Sequence, residues 1–91
     1  MADVIITLKI MPESPESNLD TIEEKAKKLI EEFGGQTGKV DIEPIAFGLK
    51  ALKLIFVMNE DLGSTEELET KVQEIDQVQS VEIIDVRRAI G

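Results

Sequence analysis

Six periodic segments follow one another along this chain, and their order constrains the fold more than any other feature. Four show the polar–apolar alternation or the continuous apolar run that is typical of β-strands, and two repeat their apolar residues at helical spacing. The strand-like segments are residues 3–11, 39–45, 49–58 and 78–88, and the helix-like segments are residues 20–33 and 64–75. Because crossover connections are right-handed, this βαββαβ order predicts an α+β fold. We expect the ferredoxin-like arrangement, a four-stranded antiparallel sheet with two helices on one face.

Both helix-like segments begin with the spacing of a capping box. Asp20 precedes Glu23 by three residues, and Ser64 precedes Glu67 by the same interval. In a capping box the first side chain accepts a hydrogen bond from the backbone of the third residue, and the acidic side chain reaches back. We therefore expect Asp20 and Ser64 to cap the two helices.

The connection between the second and third strands combines a proline, an aromatic residue and a glycine. Pro44 cannot donate a ladder hydrogen bond, which places the second strand at a sheet edge or ends it there. Gly48 supplies a turn, so Phe47 falls at the tip of a hairpin. Such tips are usually exposed. Phe47 then either folds back onto the core or protrudes as an apolar anchor for a partner.

The residue types that are missing exclude several function classes. The chain contains no Cys and no His. It therefore has no disulfides, no thiolate nucleophile, no thiolate or imidazole metal site, and no imidazole general base. The net charge is −9 and aromatic residues make up 3% of the chain. A protein of that charge repels nucleic acid at long range, and a stacking platform for bases needs more exposed rings.

Length and apolar patterning set the organisation of the chain. The 91 residues are enough for one domain and not two, so we expect a single domain over residues 1–91. No segment reaches the roughly 20 apolar residues of a membrane span, and the first residues do not resemble a signal peptide. We expect a cytoplasmic protein that is monomeric when free, contacts no membrane, needs no cofactor and is not an enzyme.

Charged residues supply one feature that stands out from the acidic background. Most of the 19 acidic residues fall on helix faces and in loops, where charge runs are usually solvated, and no calcium-binding or phosphate-binding loop is present. Arg87 and Arg88, in contrast, are consecutive near the end of the last strand. Neighbours on a strand point to opposite faces. The pair either blocks strand addition at an edge or delivers a cation to an anionic site on a partner.

Three segments of the chain resemble one family of translation factors. EPIAFGLKAL, residues 43–52, and VQSVEIIDVRR, residues 78–88, strongly resemble the archaeal elongation factor 1-beta family. They also resemble the exchange domain of the eukaryotic factor. The opening VIITLKIMPESPESNLDTIEEK, residues 4–25, fits the archaeal proteins as well.

The resemblance implies a guanine-nucleotide exchange factor for the GTPase elongation factor 1-alpha, which speeds GDP release so that GTP can reload. Phe47 matches the family's hairpin aromatic, which docks in an apolar pocket on a second domain of the GTPase. Arg88 matches a basic residue that enters the magnesium site, and that residue is a lysine in the eukaryotic pattern. Arg87 is the alternative. The implied partner-binding set is Pro44, Ile45, Phe47, Gly48, Arg87 and Arg88.

The topology predicts where these two candidate sites lie. In βαββαβ order the second and fourth strands run in opposite directions, so Phe47 and Arg88 are expected at opposite ends of the sheet. A strand of about eight residues separates them by roughly 26 Å. One rigid domain is then able to span two domains of a larger protein.

Two other classes of function remain open on the same fold. An acylphosphatase-like hydrolase needs a phosphate-cradling loop with a positioned Arg and Asn, whereas the first loop here, MPESPES, offers carboxylates. A regulatory module for small molecules or subunit association is the other class. A tight GTPase partner in a pull-down favours exchange, and self-association alone favours the module.

Overall fold

The computed structural model describes residues 3–89 and contains the six elements in the expected order. The strands are β1 (Asp3–Pro12), β2 (Gln36–Pro44), β3 (Lys50–Asn59) and β4 (Val78–Ala89), and the helices are α1 (Leu19–Phe33) and α2 (Glu66–Gln73). Two short 3₁₀ turns follow β2 and β3, at Ala46–Gly48 and Glu60–Leu62.

The four strands form one antiparallel sheet in the order β2-β3-β1-β4. This is the sheet order of the ferredoxin-like fold, so the predicted fold class is confirmed. The two strands at the centre are β1, which shows alternation in the sequence, and β3, which contains the most apolar run. The edges are β2 and β4, as the proline in β2 requires.

The core lies between one face of the sheet and both helices. Even-numbered residues of the central strands contribute side chains to it, and each helix adds an apolar stripe. Its fully buried members include Leu8, Ile10, Leu54, Phe56, Ile22, Ile30, Leu68 and Val72. The opposite face of the sheet, which we call the open face, carries no helix.

The helix caps differ from the expectation. Asn18, not Asp20, caps α1, because its Oδ1 accepts the Thr21 N–H at 3.1 Å. Asp20 lies inside the first turn, where a carboxylate favours the helix dipole. The α2 capping box is wrong as well: the Ser64 Oγ accepts the Glu66 N–H at 3.1 Å, so its hydrogen bond closes a short turn ahead of the helix.

A bulge in each edge strand interrupts the period of two. In β2, Gly38 and Lys39 together stand opposite Ile55. Because a bulge breaks the alternation, the sequence pattern placed the start of β2 at residue 39, three residues after its true start at Gln36. In β4, Ile84 is an extra residue. The residues before and after it pair with consecutive residues of β1, so Ile84 has no partner there.

The second helix leaves the end of β4 uncovered. Eight helical residues span about 12 Å, whereas the twelve residues of β4 extend over about 40 Å. Val86 is consequently 60% exposed, although Ile6, its partner on β1, belongs to the core. Val86, Arg87 and Arg88 are therefore exposed at one end of the sheet.

Candidate functional site

The turn between β2 and β3 has a strained backbone for its sequence. Phe47 has φ 62° and ψ 29°, and Gly48 has φ 79°. The Leu49 N–H donates to the Ala46 carbonyl at 3.3 Å and closes the turn. Two consecutive positive φ angles with this hydrogen bond are typical of a type I′ turn, which favours Asn followed by Gly. A bulky residue in the left-handed region costs about 1 kcal/mol or more.

The ring of Phe47 protrudes into solvent and is 93% exposed. The sequence left two possibilities for this ring. The structure shows that it protrudes, and the expectation that it packs onto the core is wrong. The core residue of β3 that is nearest to the turn is Leu52, which lies opposite Ile42. The turn begins beyond that pair, and its ring is directed away from the core.

Pro44 and Ile45 connect this turn to the sheet. Pro44 is the last residue of β2, opposite Lys50, and its strand is an edge strand. The Ile45 N–H donates to the Leu49 carbonyl at 2.6 Å. Both ends of the turn are therefore hydrogen-bonded, which fixes the direction in which Phe47 projects.

A groove of about 340 Å³ borders the turn. Pro12, Pro15, Leu19 and Ile42 supply its apolar lining. A Cβ placed on Gly48 would lie 3.7 Å from Pro15, so the turn sits directly beside this groove. The end of the molecule that carries Phe47 thus presents these apolar side chains beside polar ones, among them Asn18 and Lys50.

At the other end of the sheet, the β4 bulge decides which face each arginine occupies. Downstream of Ile84, Asp85 and Arg87 pair with Thr7 and Ile5 on the open face, whereas Arg88 pairs with Val4 on the helix side. The expectation that the two arginines point to opposite faces is confirmed.

The two guanidinium groups have different partners. The Arg88 Nη2 donates to the Glu60 Oε2 at 2.5 Å, across 28 residues of sequence, and the Arg88 side chain is 67% exposed. The Arg87 Nε donates to the Asp85 Oδ2 at 2.9 Å, two residues earlier on the same strand. The first pair joins two elements, and the second stays within one. Sequence reasoning missed Glu60, because nothing local to either residue signals a contact between them.

The two ends lie as far apart as the topology predicts. Pro44 pairs with Lys50 on β3, and Arg88 pairs with Val4, whose partner on β3 is Met58. Lys50 and Met58 are eight residues apart on one strand, or about 27 Å. The central strands β1 and β3, which separate the two ends, pair without a register shift.

The middle of the open face carries a cluster of charges. Glu43 forms ion pairs with two lysines. Its Oε2 lies 2.5 Å from the Lys53 Nζ, and its Oε1 lies 3.8 Å from the Lys9 Nζ. The hydrogen bond and charge of Lys53, assisted by Lys9, hold the pKa of Glu43 below its ordinary value. Since Lys9 and Lys53 stand opposite each other on neighbouring strands, Glu43 offsets their repulsion.

Residues 3–89 contain neither a metal-binding cluster nor a membrane-spanning helix. In this part of the chain, no three acidic side chains converge as a group that could hold a metal ion. Its helices are too short or too polar to cross a membrane.

Residues 5–89 match the model of a protein family described as the EF-1 guanine nucleotide exchange domain. Elongation factor 1-beta of Methanocaldococcus jannaschii is 42% identical over 89 residues, covering 98% of this chain and all of the relative. Elongation factor 1-beta of Staphylothermus marinus is 45% identical over 89 residues, covering 97% of this chain and 98% of the relative.

Among solved structures, the ACT domain from GTP pyrophosphokinase of Chlorobium tepidum has a TM-score of 0.61 and 18% identity. It covers 90% of this chain, and 99% of that domain is covered. At that identity the likeness concerns the fold alone. The family match and the full-length relatives show the family as well as the fold. This chain belongs to the EF-1 guanine nucleotide exchange domain family.

Proposed function

We propose that this chain promotes the release of GDP from, and the reloading of GTP onto, translation elongation factor 1-alpha. The observation that carries the proposal is the pairing of an exposed, strained aromatic side chain at one end of a rigid sheet with an exposed arginine about 27 Å away at the other. Membership in the exchange-domain family supports it. Residues 1–91 act as one exchange domain that docks across two domains of the GTPase.

The apolar end supplies affinity in this proposal. Phe47, with Pro44, Ile45 and Gly48 holding its turn, inserts into an apolar pocket on the second domain of the GTPase. Burying a fully exposed ring gains hydrophobic free energy, and aromatic anchors commonly dominate binding at an interface. The left-handed backbone at Phe47 already directs the ring outward in the free protein. Docking therefore requires little further ordering of this side chain.

The cationic end supplies the acceleration of GDP release. Arg88 approaches the magnesium site of the GTPase and opposes the metal electrostatically. Magnesium and nucleotide help to hold each other, so the affinity for both falls. Because coupling between sites is reciprocal, a factor that binds the nucleotide-free state best weakens nucleotide binding to the same degree. A coupling of about 1.4 kcal/mol corresponds to a tenfold weakening.

The proposed action involves binding without a chemical step. The chain is then an exchange factor and not an enzyme, and it requires no cofactor. A net charge of −9 disfavours direct contact with nucleic acid. We infer a cytoplasmic protein that is monomeric when free and meets the GTPase without a membrane.

The test is the release of fluorescent GDP from the cognate elongation factor 1-alpha, followed by stopped flow at saturating factor. The wild-type chain is expected to accelerate release, and Arg88→Ala to slow that release by tenfold or more while weakening the complex less. A contact made mainly while nucleotide is leaving affects the rate more than ground-state affinity.

Arg87→Ala is the matched control, because it removes an arginine from the neighbouring position on the opposite face. It is expected to slow GDP release less than Arg88→Ala does. A wild-type chain that does not accelerate GDP release would contradict the proposed function. Loss of activity in Arg87→Ala alone would move the role to Arg87.

A further inference from the structure

The ion pair between Arg88 and Glu60 joins two separate elements. Glu60 follows β3, Arg88 is on β4, and β1 lies between those two strands in the sheet. The 2.5 Å contact therefore spans the neighbouring strand instead of linking adjacent residues. A long, exposed arginine side chain otherwise samples many rotamers, and ordering it opposes binding. This contact selects one of them.

Glu60 is itself held by the scaffold. It begins the 3₁₀ turn Glu60–Leu62, in which the Gly63 N–H donates to the Glu60 carbonyl at 3.2 Å. The Asn59 side chain accepts the Asp61 N–H at 2.8 Å and caps the same turn. Leu62 packs at the end of α1, where a Cβ on Gly34 would lie 3.1 Å from its Cδ1. The carboxylate is thus attached to a turn that is anchored to the rest of the fold.

The pair leaves most of the guanidinium available. Arginine has five N–H donors in a planar fork, and the contact with Glu60 uses the Nη2 group. The side chain of Arg88 is still 67% exposed. Glu60 can therefore hold the side chain while the remaining N–H donors of Arg88 face a partner.

We propose that Glu60 is a positioning residue, which holds Arg88 in the orientation that reaches the magnesium site of the GTPase. This inference rests on the proposed function. Preorganising the side chain in the free protein removes a part of the ordering that docking otherwise requires. The pair on the other arginine serves as an internal contrast, since Asp85 and Arg87 belong to one strand and one face.

Two measurements on Glu60→Gln test this role, with Asp85→Asn as the matched control. The first is the mobility of the Arg88 Nε by ¹⁵N relaxation in the free protein, which does not depend on exchange activity. Arg88 is expected to be ordered in the wild type and in Asp85→Asn, and mobile in Glu60→Gln. The second is GDP release at saturating factor, where Glu60→Gln is expected to be about threefold slower, within the range of exposed ion pairs.

Measuring Glu60→Gln in the Arg88→Ala background distinguishes the positioning role of Glu60 from a purely structural one. There, Glu60→Gln is expected to change nothing, because the side chain that it positions is gone. Further slowing in that background would overturn the inference. So would unchanged Arg88 mobility, or faster release by Glu60→Gln, which would mean that the pair restrains Arg88.

The failure of this inference is distinguishable from the failure of the proposed function. If wild type accelerates release and Arg88→Ala does not, while Glu60→Gln equals wild type, then only the positioning role falls. If wild type does not accelerate release, the proposed function and the positioning role both fall, whatever the relaxation data show.

Discussion

The two ends of the sheet expose their key side chains by different physical means. At the β2–β3 turn, Phe47 is exposed because a left-handed backbone, closed by hydrogen bonds on both sides, directs the ring away from the core. At the end of β4, Arg88 is exposed because α2 is too short to cover the strand, and a distant carboxylate holds its head group. One end is apolar and held by its backbone, and the other is charged and held by a side-chain contact.

Under the proposed function, this difference would let one small domain act on affinity at one end and on rate at the other. Apolar burial is non-directional and adds to binding in any state of the partner that keeps the pocket. A charge acts on another charge, so its effect changes when the metal leaves. We therefore expect perturbations at the Phe47 end to appear in the dissociation constant, and perturbations at the Arg88 end in the rate of GDP release.

The largest expected effect comes from perturbing both ends. In the double variant Phe47→Asn/Arg88→Ala, losses of about 2 and 1.4 kcal/mol add to roughly a 300-fold fall in the second-order rate constant for exchange. The sites are too distant to couple directly, so additivity is expected. Comparing both single variants with the double variant in the stopped-flow assay measures this. A double variant that is no worse than either single variant would break the comparison.

Phe47→Asn alone has opposite expected effects on binding and on folding. Removing the ring weakens the complex by about thirtyfold, or about 2 kcal/mol. Because Asn before Gly is the favoured pair of a type I′ turn, the free energy of unfolding rises by about 0.5 kcal/mol. Titration against the GTPase and thermal melting measure the two quantities.

Gly48→Ala is the control for that variant, because it keeps the ring. A Cβ at Gly48 has ordinary contact with Pro15, but its φ of 79° is unfavourable for alanine by about 1 kcal/mol. Stability is expected to fall in this variant. A melting temperature that falls sharply in Phe47→Asn as well, with binding unchanged, would assign Phe47 a folding role only.

Arg88→Lys tests whether charge alone acts at the other end. An ammonium keeps the charge and loses the planar fork, so release is expected to stay within about threefold of wild type. Raising the magnesium concentration is expected to suppress the acceleration by both proteins, because metal and cation compete. Loss of most activity in Arg88→Lys at every magnesium concentration would show that the fork geometry matters instead.

Glu43→Gln, between the two ends, is expected to have the smallest effect. The lowered pKa of Glu43 means that its carboxylate stabilises the fold above the ordinary value of 4.5, and that this contribution is lost as the pH falls through the lowered pKa. The variant should melt slightly below wild type at neutral pH, with the difference vanishing in acid and GDP release unchanged. A pH-independent difference would contradict the assigned cause.

Individual elements show which structural features the sequence patterns predicted and which they did not. The alternation in β1 correctly indicated a strand with one buried face, and the apolar run in β3 correctly indicated a central strand, because burial on one or both faces leaves a trace in the sequence. The start of β2 was displaced by the Gly38–Lys39 bulge, and the caps of both helices were misplaced, because neighbouring residues of similar chemistry compete for one hydrogen bond. The hairpin and its aromatic were identified, but not the direction of the ring.

The sequence by itself determined the order of elements, the buried face of β1, the central position of β3, and the motifs that relate this chain to its family. These are consequences of periodicity and of residue types at short range. Only the tertiary structure decided that the Ile84 bulge places Arg88 on the helix side, that Phe47 projects, and that Glu60 meets Arg88 across β1. Each of these depends on strand register or on contacts between distant residues, and neither is encoded in the pattern of a single segment.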